Sequence, residues 1–116
     1  METTVERIGD VAIVAVQEKQ LDASNADAFR SAIAPVLKGC RNLVLDLGRV
    51  QFMDSRGCGA ILLCLKHLSK VGGDIKLCQV TELVREVFDL IRMDTICEVV
   101  NTREEAVRAF QNSARP

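Results

Sequence analysis

The hydrophobic residues along the chain follow two alternating periods, one typical of strands and the other typical of helices. Short apolar runs predict strands at residues 3–7, 11–16, 42–47, 74–79 and 95–100. Apolar residues spaced three and four apart predict helices at residues 24–37, 55–71 and 81–92. A capping box formed by Thr102 and Glu105 predicts a fourth helix after the last strand. This alternation predicts an α/β fold, with a mixed sheet of about five strands and about four helices.

Local signals refine the first helix and the limits of the domain. Ser24 offers a hydroxyl as the N-cap of that helix, and Gly39 is a plausible stop. Pro35 lacks a backbone N–H, so we expect it to kink the helix or to end it early. No linker, repeat or low-complexity stretch divides the chain. We therefore expect one domain over residues 1–112, with a frayed tail at residues 113–116.

Composition and charge narrow the possible classes of function. The 116 residues are 48% hydrophobic and 27% charged, as in ordinary soluble globular proteins. A formal net charge of -1 gives no electrostatic reason to expect nucleic acid or an acidic membrane as partner. The richest apolar run is far shorter than the roughly 20 residues of a membrane span, and the N-terminus lacks the apolar region of a signal peptide. We expect a cytoplasmic protein, and this composition is compatible with a monomer.

The cysteines and the single histidine offer little chemistry. The five cysteines are odd in number and form no CxxC pair, so we interpret them as small buried hydrophobes in a reducing compartment. Redox or metal chemistry is the alternative, and Cys58 is the candidate because it lies beside the motif described next. His67 cannot form a metal site alone. We therefore expect neither a metal nor a cofactor.

The most informative segment covers residues 46–62, where a buried strand leads through the turn MDSRGCG into the second helix. Ser55 falls at or just before the first turn of that helix, where free backbone N–H groups and the positive end of the dipole favour an anion. A phosphate on Ser55 would change the surface by about -1.5 to -2 charges. The alternative is that Ser55 only caps the helix.

This segment closely resembles the signature of the STAS family, in particular bacterial anti-sigma-factor antagonists, in which an apolar-Asp-Ser-(Ser/Thr)-Gly-x-Gly turn opens a helix. Leu21-Asp22 before the first helix and Gly72-Gly73 after the second also match. The resemblance covers nearly the whole chain and implies a STAS fold. It also implies that an anti-sigma factor, which is also a serine kinase, phosphorylates Ser55, and that a serine phosphatase reverses this. By the same resemblance, the unmodified form is expected to capture the kinase and free the sigma factor.

The resemblance also implies neighbours for Ser55, with two departures from the usual pattern. Asp22, Asp46 and Asp54 are expected around it, together with Arg56 and Gly57. The alternatives are a turn residue for Asp22, a solvated strand end for Asp46 and a helix cap for Asp54. Arg56 stands where Ser or Thr is common, and its guanidinium either pairs with the phosphate or alters which kinase recognises the turn. Cys58 stands where Leu or Met is usual.

The helical period sorts the second helix into two sides. An inward side holds most of its apolar residues, and an opposite, mostly polar side holds Gly59, Leu63, Lys66 and His67. We predict that these four residues form a partner-binding surface, because Leu63 is apolar among polar residues and Gly59 lets another backbone approach. The alternative is that Leu63 is one of the many exposed leucines without a role.

Three functions compete. The first is the phosphorylation-switched binding protein, and the second is a STAS scaffold or transport-accessory subunit that works without phosphorylation. The third is an enzyme with Ser55 as nucleophile. His67, the only histidine, lies three helical turns from Ser55, too far to serve as its base, and no nucleotide-binding loop is present. We therefore expect no enzymatic activity and no catalytic residue.

Overall fold

The fold, seen in a computed structural model that describes residues 1–113, has seven strands and four helices in that part of the chain. The strands are β1 (Thr3–Ile8), β2 (Val11–Val16), β3 (Gln20–Leu21), β4 (Asn42–Asp46), β5 (Phe52–Met53), β6 (Asp74–Cys78) and β7 (Glu98–Val99). The helices are α1 (Ala26–Lys38), α2 (Ser55–Lys70), α3 (Glu82–Ile91) and α4 (Arg103–Ser113).

Five strands form the main sheet in the order β1-β2-β4-β6-β7. The hairpin of β1 and β2 is antiparallel, with Gly9 at a positive φ of 63° in its turn, and the remaining pairs are parallel. Parallel neighbours require crossover connections, which α1, α2 and α3 supply. The short strands β3 and β5 pair in parallel as a separate two-stranded sheet. The predicted mixed α/β architecture is confirmed.

The helices cover both faces of the main sheet. Alternate residues of β2 and β4, such as Val14 and Leu45, join the apolar sides of α1, α2 and α3 in the larger core. The residues between them, such as Ile13 and Val44, pack instead against α4 through Phe110. Strands that are apolar on both faces are typical of such covered sheets. All of β2 is accordingly buried.

Helix α1 differs from the prediction at its start, whereas it ends at Lys38 with the predicted stop, Gly39, as its C-cap. Its N-cap is Asn25 and not Ser24, because the Ser24 hydroxyl donates a hydrogen bond to the Asp22 carboxylate. Pro35 does not end the helix early, since α1 continues to Lys38. Pro35 and Ser31, whose carbonyl loses its helical donor, are both exposed, so water can satisfy that carbonyl.

The last third of the chain holds two further corrections. Residues 95–97 are not part of a strand, because Arg92 takes a left-handed conformation (φ 57°) that ends α3 and starts a 3₁₀ turn over Met93–Thr95. The strand there is the two-residue β7. Helix α4 begins with one half of the predicted capping box, in which the N–H of Glu105 donates to the Thr102 hydroxyl at 3.1 Å, and that hydroxyl donates to Oε1 of Glu105 at 3.4 Å. It includes Ser113, and the rest of the predicted tail, residues 114–116, lies outside the described residues.

Within residues 1–113, no helix combines the length and the apolar character that a membrane crossing requires.

Candidate functional site

Asp54 caps helix α2, and Ser55 is the first residue of that helix. One carboxylate oxygen of Asp54 (Oδ1) accepts hydrogen bonds from the N–H groups of Arg56 (2.9 Å) and Gly57 (3.0 Å). Its extended backbone (φ -117°, ψ -173°) is the usual conformation of an N-cap. The interpretation of Ser55 as the cap is therefore wrong, since Asp54 holds that position.

The other carboxylate oxygen of Asp54 reaches across to the start of α1. Oδ2 accepts the N–H of Ala23 at 3.1 Å, so Asp54 joins two segments that are 31 residues apart in the sequence. The pairing of β3 with β5 brings these segments together, with Leu21 beside Met53. The turn of residues 52–57, which we call the Ser55 turn, is thus fixed on the β3–α1 segment.

Gly57 fixes the same turn by close packing. A Cβ atom added to Gly57 would lie 2.0 Å from the carbonyl oxygen of Leu21 and 2.9 Å from Cγ of Met53. No side chain fits in that space, so α2 approaches β3 as closely as backbones allow. At Gly59, two residues further along the helix, an added Cβ would meet nothing within 4 Å.

The hydrogen bonds also determine the charge of Asp54. The N–H of Gly57, with those of Ala23 and Arg56, lowers the pKa of this carboxyl group below its ordinary value, against a smaller opposing effect of desolvation. Asp54 is therefore a carboxylate at neutral pH. A fixed negative charge lies directly next to Ser55.

Ser55 itself is exposed, and its hydroxyl has no hydrogen-bond partner within residues 1–113. The expectation that free backbone N–H groups at the start of α2 favour an anion needs correction. The N–H groups of Arg56 and Gly57 are already occupied by Asp54. They are not free to receive an anion. The Ser55 hydroxyl therefore faces water, where an approaching protein can reach it.

The other two predicted acids, Asp22 and Asp46, lie in different places. Asp22 lies in the β3–α1 segment beside Ala23, where its Oδ1 accepts the backbone N–H of Ser24 at 3.0 Å. Asp46, at the end of β4, is instead buried with 7% of its surface exposed, so it is not a solvated strand end. Its carboxylate accepts the N–H of Gly48 at 2.8 Å and pairs with Nε of Arg103 at 2.6 Å.

Arg103 therefore ties α4 to the sheet. Besides Asp46, its guanidinium pairs with Glu6 of β1 at 2.8 Å. The hydrogen bond to Asp46 raises the pKa of Arg103 further above its already high ordinary value, so the guanidinium of this ion pair stays charged. Asp46 belongs to this three-residue cluster, and no hydrogen bond or ion pair joins it to Ser55.

The predicted outward side of α2 is exposed as expected. Leu63 keeps 46% of its surface exposed, Lys66 and His67 are exposed, and Gly59 is half-buried. The inward residues Cys58, Ile61, Cys64 and Leu68 are buried. Leu63 and His67 also line an open groove between α1 and α2, together with Arg30 of α1.

The five cysteines are buried free thiols, as their interpretation as small hydrophobes requires. Burial raises the pKa of Cys64 and Cys78 to about 12 and that of Cys97 to about 11, so these thiols stay protonated at neutral pH. Within residues 1–113, no group of three or more His, Cys, Asp or Glu side chains is placed to hold a metal ion.

Sequence reasoning missed two backbone groups that build the site, the N–H of Ala23 and the carbonyl of Leu21, and it also missed the Arg103 partner of Asp46. The first two belong to the backbone, to which no residue type points. Arg103 lies 57 residues from Asp46, so no local pattern joins them. The match of Leu21-Asp22 to the family pattern was the one available signal for the β3–α1 segment.

Comparisons with known proteins place this geometry in a family. A family model described as the STAS domain matches residues 2–106. A protein of Bordetella bronchiseptica designated an anti-sigma factor antagonist, BtrV, is 36% identical over 97% of each chain. The crystal structure of a protein from Thermotoga maritima, described as an anti-sigma factor antagonist, has a TM-score of 0.84, 29% identity and 92% coverage of each chain. The phosphorylated form of the Bacillus protein SpoIIAA shares the fold at 21% identity, with a TM-score of 0.70 over 94% of this chain and 99% of that one.

Proposed function

The chain belongs to the STAS domain family, and we propose that it is an anti-sigma factor antagonist switched by phosphorylation of Ser55. It is a regulatory binding protein and not an enzyme. Its partner is an anti-sigma factor that is also a serine kinase. The unmodified form binds this kinase and so releases a sigma factor, phosphorylation blocks that binding, and a serine phosphatase restores it.

The observation that carries the proposal is the free hydroxyl of Ser55 on a firmly held turn. Ser55 is exposed, while Asp54 and Gly57 on either side of it hold the turn against the β3–α1 segment, at Ala23 and Leu21. A kinase can reach such a hydroxyl without unfolding the domain. The phosphorylated SpoIIAA, whose fold this chain shares, is a precedent for a phosphate on this architecture.

The phosphoryl transfer needs no catalytic group from this chain. The Ser55 oxygen attacks the γ-phosphorus of ATP, the bond to the bridging oxygen breaks, and ADP leaves while a base of the kinase takes the hydroxyl proton. His67 stands twelve residues further along α2, a rise of roughly 18 Å, so it takes no part.

The phosphate acts on binding through its charge. It adds about -1.5 to -2 charges beside the carboxylate of Asp54, whose own hydrogen bonds keep it ionised. A partner surface packed over this turn would have to bury two neighbouring anions, which is costly without matching cations. The unmodified hydroxyl imposes no such cost.

The remaining site residues take supporting roles in this proposal. Asp54 and Gly57 hold the Ser55 turn, and Asp22 shapes the segment beside it. Gly59, Leu63, Lys66 and His67 form the contact surface for the partner. Asp46 acts at a distance by anchoring α4. We further propose that residues 1–112 are the functional domain, acting as a monomer in the cytoplasm without nucleic acid or membrane as direct partner.

Phosphorylation assays test this proposal. The protein is incubated with ATP and each anti-sigma serine kinase of the same genome, purified, and the mass is recorded. We expect a gain of one phosphate that Ser55→Ala abolishes and that Ser69→Ala, which removes an exposed serine of the same helix, leaves unchanged. Ser55→Asp should bind the kinase at least tenfold more weakly than the wild type does.

The same assay addresses the phosphorylation-independent STAS scaffold or transport-accessory subunit. If no kinase modifies Ser55, and Ser55→Asp binds its partner as tightly as the wild type, the switch is absent and the scaffold is the better description.

A further inference from the structure

Helix α2 carries three basic side chains, Arg56, Lys66 and Lys70, and no acidic one, in a chain whose formal net charge is -1. None of the three forms an ion pair within residues 1–113, although four ion pairs occur elsewhere in that part of the chain. Helical lysines and arginines commonly face an acid three or four residues away. No acid stands three or four residues from Arg56 or Lys66, and Asp74, four residues after Lys70, lies in β6 and forms no ion pair with it.

The three cations lie on one side of the helix. At about 100° per residue, Arg56, Lys66 and Lys70 fall within an arc of about 80°. Measured along the axis they extend over about 21 Å, from the first turn to the last. All three are exposed, and we call them the basic stripe. Gly59 and Leu63 lie in the same arc, between Arg56 and Lys66.

We propose, as an inference that rests on the proposed function, that the basic stripe docks against an acidic surface of the protein partner. The Ser55 phosphate then reverses the charge at the end of the stripe nearest Ser55. The argument is charge complementarity, because three unpaired cations in a row favour a facing set of carboxylates. Leu63 is 46% exposed within the stripe, and Gly59 has open space above it. A surface that is both apolar and basic suits a protein better than it suits a nucleic acid backbone.

The acids near the stripe do not cancel it. Asp54 lies at its N-terminal end and keeps its negative charge, but it forms no ion pair with Arg56 and lies about 18 Å along the helix axis from Lys66. Asp27, across the groove on α1, faces Arg30 of its own helix at 3.7 Å. The phosphate, in contrast, would outweigh the single charge of Arg56 next to it. The end of the stripe nearest Ser55 would then repel carboxylates instead of attracting them.

Binding kinetics with the purified anti-sigma serine kinases of the same genome test this inference. The variant carries Arg56→Glu, Lys66→Glu and Lys70→Glu together. Its matched control carries Lys38→Glu, Arg85→Glu and Arg108→Glu, which change the net charge equally at exposed cations outside α2. We expect the association rate constant of the first variant to fall about tenfold or more, and that of the control to change little. The wild-type rate should also fall steeply with salt.

The outcomes separate this inference from the proposed function. A wild type that binds a kinase with no salt dependence, and a stripe variant that binds it equally fast, overturn the docking surface and leave the switch intact. A wild type that binds none of the kinases overturns both. Stripe-dependent binding to vesicles with 30% phosphatidylglycerol, or to a DNA duplex, with no effect on kinase binding, also overturns the inference. Lys66→Glu alone, with thermal unfolding recorded, repeats the test in case the triple variant fails to fold.

Discussion

Gly57 and Leu21 touch without room for a side chain: a Cβ added to Gly57 would lie 2.0 Å from the Leu21 carbonyl oxygen. We expect Gly57→Ala to destabilise the protein by about 2–3 kcal/mol, because either α2 or β3 must shift. Gly59→Ala is the matched control in the same helix and should stabilise it by about 0.5–1 kcal/mol, since its added methyl group meets nothing. Urea unfolding measures both. Equal stabilities for the two variants would contradict this packing.

The acid dependence of stability should reveal the Asp54 cap. In the variant Asp54→Asn, the side chain keeps an oxygen that can cap α2 but carries no charge. Because the folded-state pKa of Asp54 is lowered, its charge stabilises the protein above the ordinary pKa of 3.8, and this contribution is lost as the pH falls through the lower folded value. The wild type should therefore exceed Asp54→Asn in stability at pH 7, and the difference should shrink below about pH 4. Thermal unfolding from pH 7 to 2.5 checks this, and parallel curves would refute it.

The Asp46–Arg103 pair should be needed for the attachment of α4. In Arg103→Met the carboxylate of Asp46 stays buried without its cation, and we expect a loss of about 3 kcal/mol, the low end for a buried pair because the Arg103 side chain is 28% exposed. Arg108→Met is the control, an exposed arginine of the same helix without an ion pair among residues 1–113. Adding Asp46→Asn to Arg103→Met should restore part of the loss, because the unpaired charge is removed. A double-mutant cycle by urea unfolding measures the coupling, and additive effects would argue against it.

The buried thiols should be unreactive in the folded protein. The pKa of Cys64 and Cys78 is raised to about 12, so at pH 8 almost none of either is thiolate, and neither is accessible. We expect Ellman's reagent to label none of the five cysteines promptly under native conditions and all five in guanidinium chloride. Ser69→Cys supplies an exposed thiol that should react at once. Rapid labelling of the wild type would show that the core opens easily.

The long elements were predictable because each repeats its apolar period several times. The strands β3 and β5 were not, since two residues cannot display a period, and these are the strands that hold the Ser55 turn. The position of Ser55 followed from the motif. Its surroundings did not, because the N–H of Ala23 and the carbonyl of Leu21 are backbone groups that any residue type supplies. The partner of Asp46 was hidden for another reason, since only the folded sheet brings Arg103 to it.

The anchoring of the Ser55 turn has a consequence for the timing of the proposed signal. The turn is held by a paired strand, by a two-sided carboxylate and by a glycine contact that leaves no slack. We therefore expect the phosphate to change the charge of this turn without a slow rearrangement of its backbone. The speed of the response would then be set by the kinase and the phosphatase, and the domain itself would add no delay between its two states.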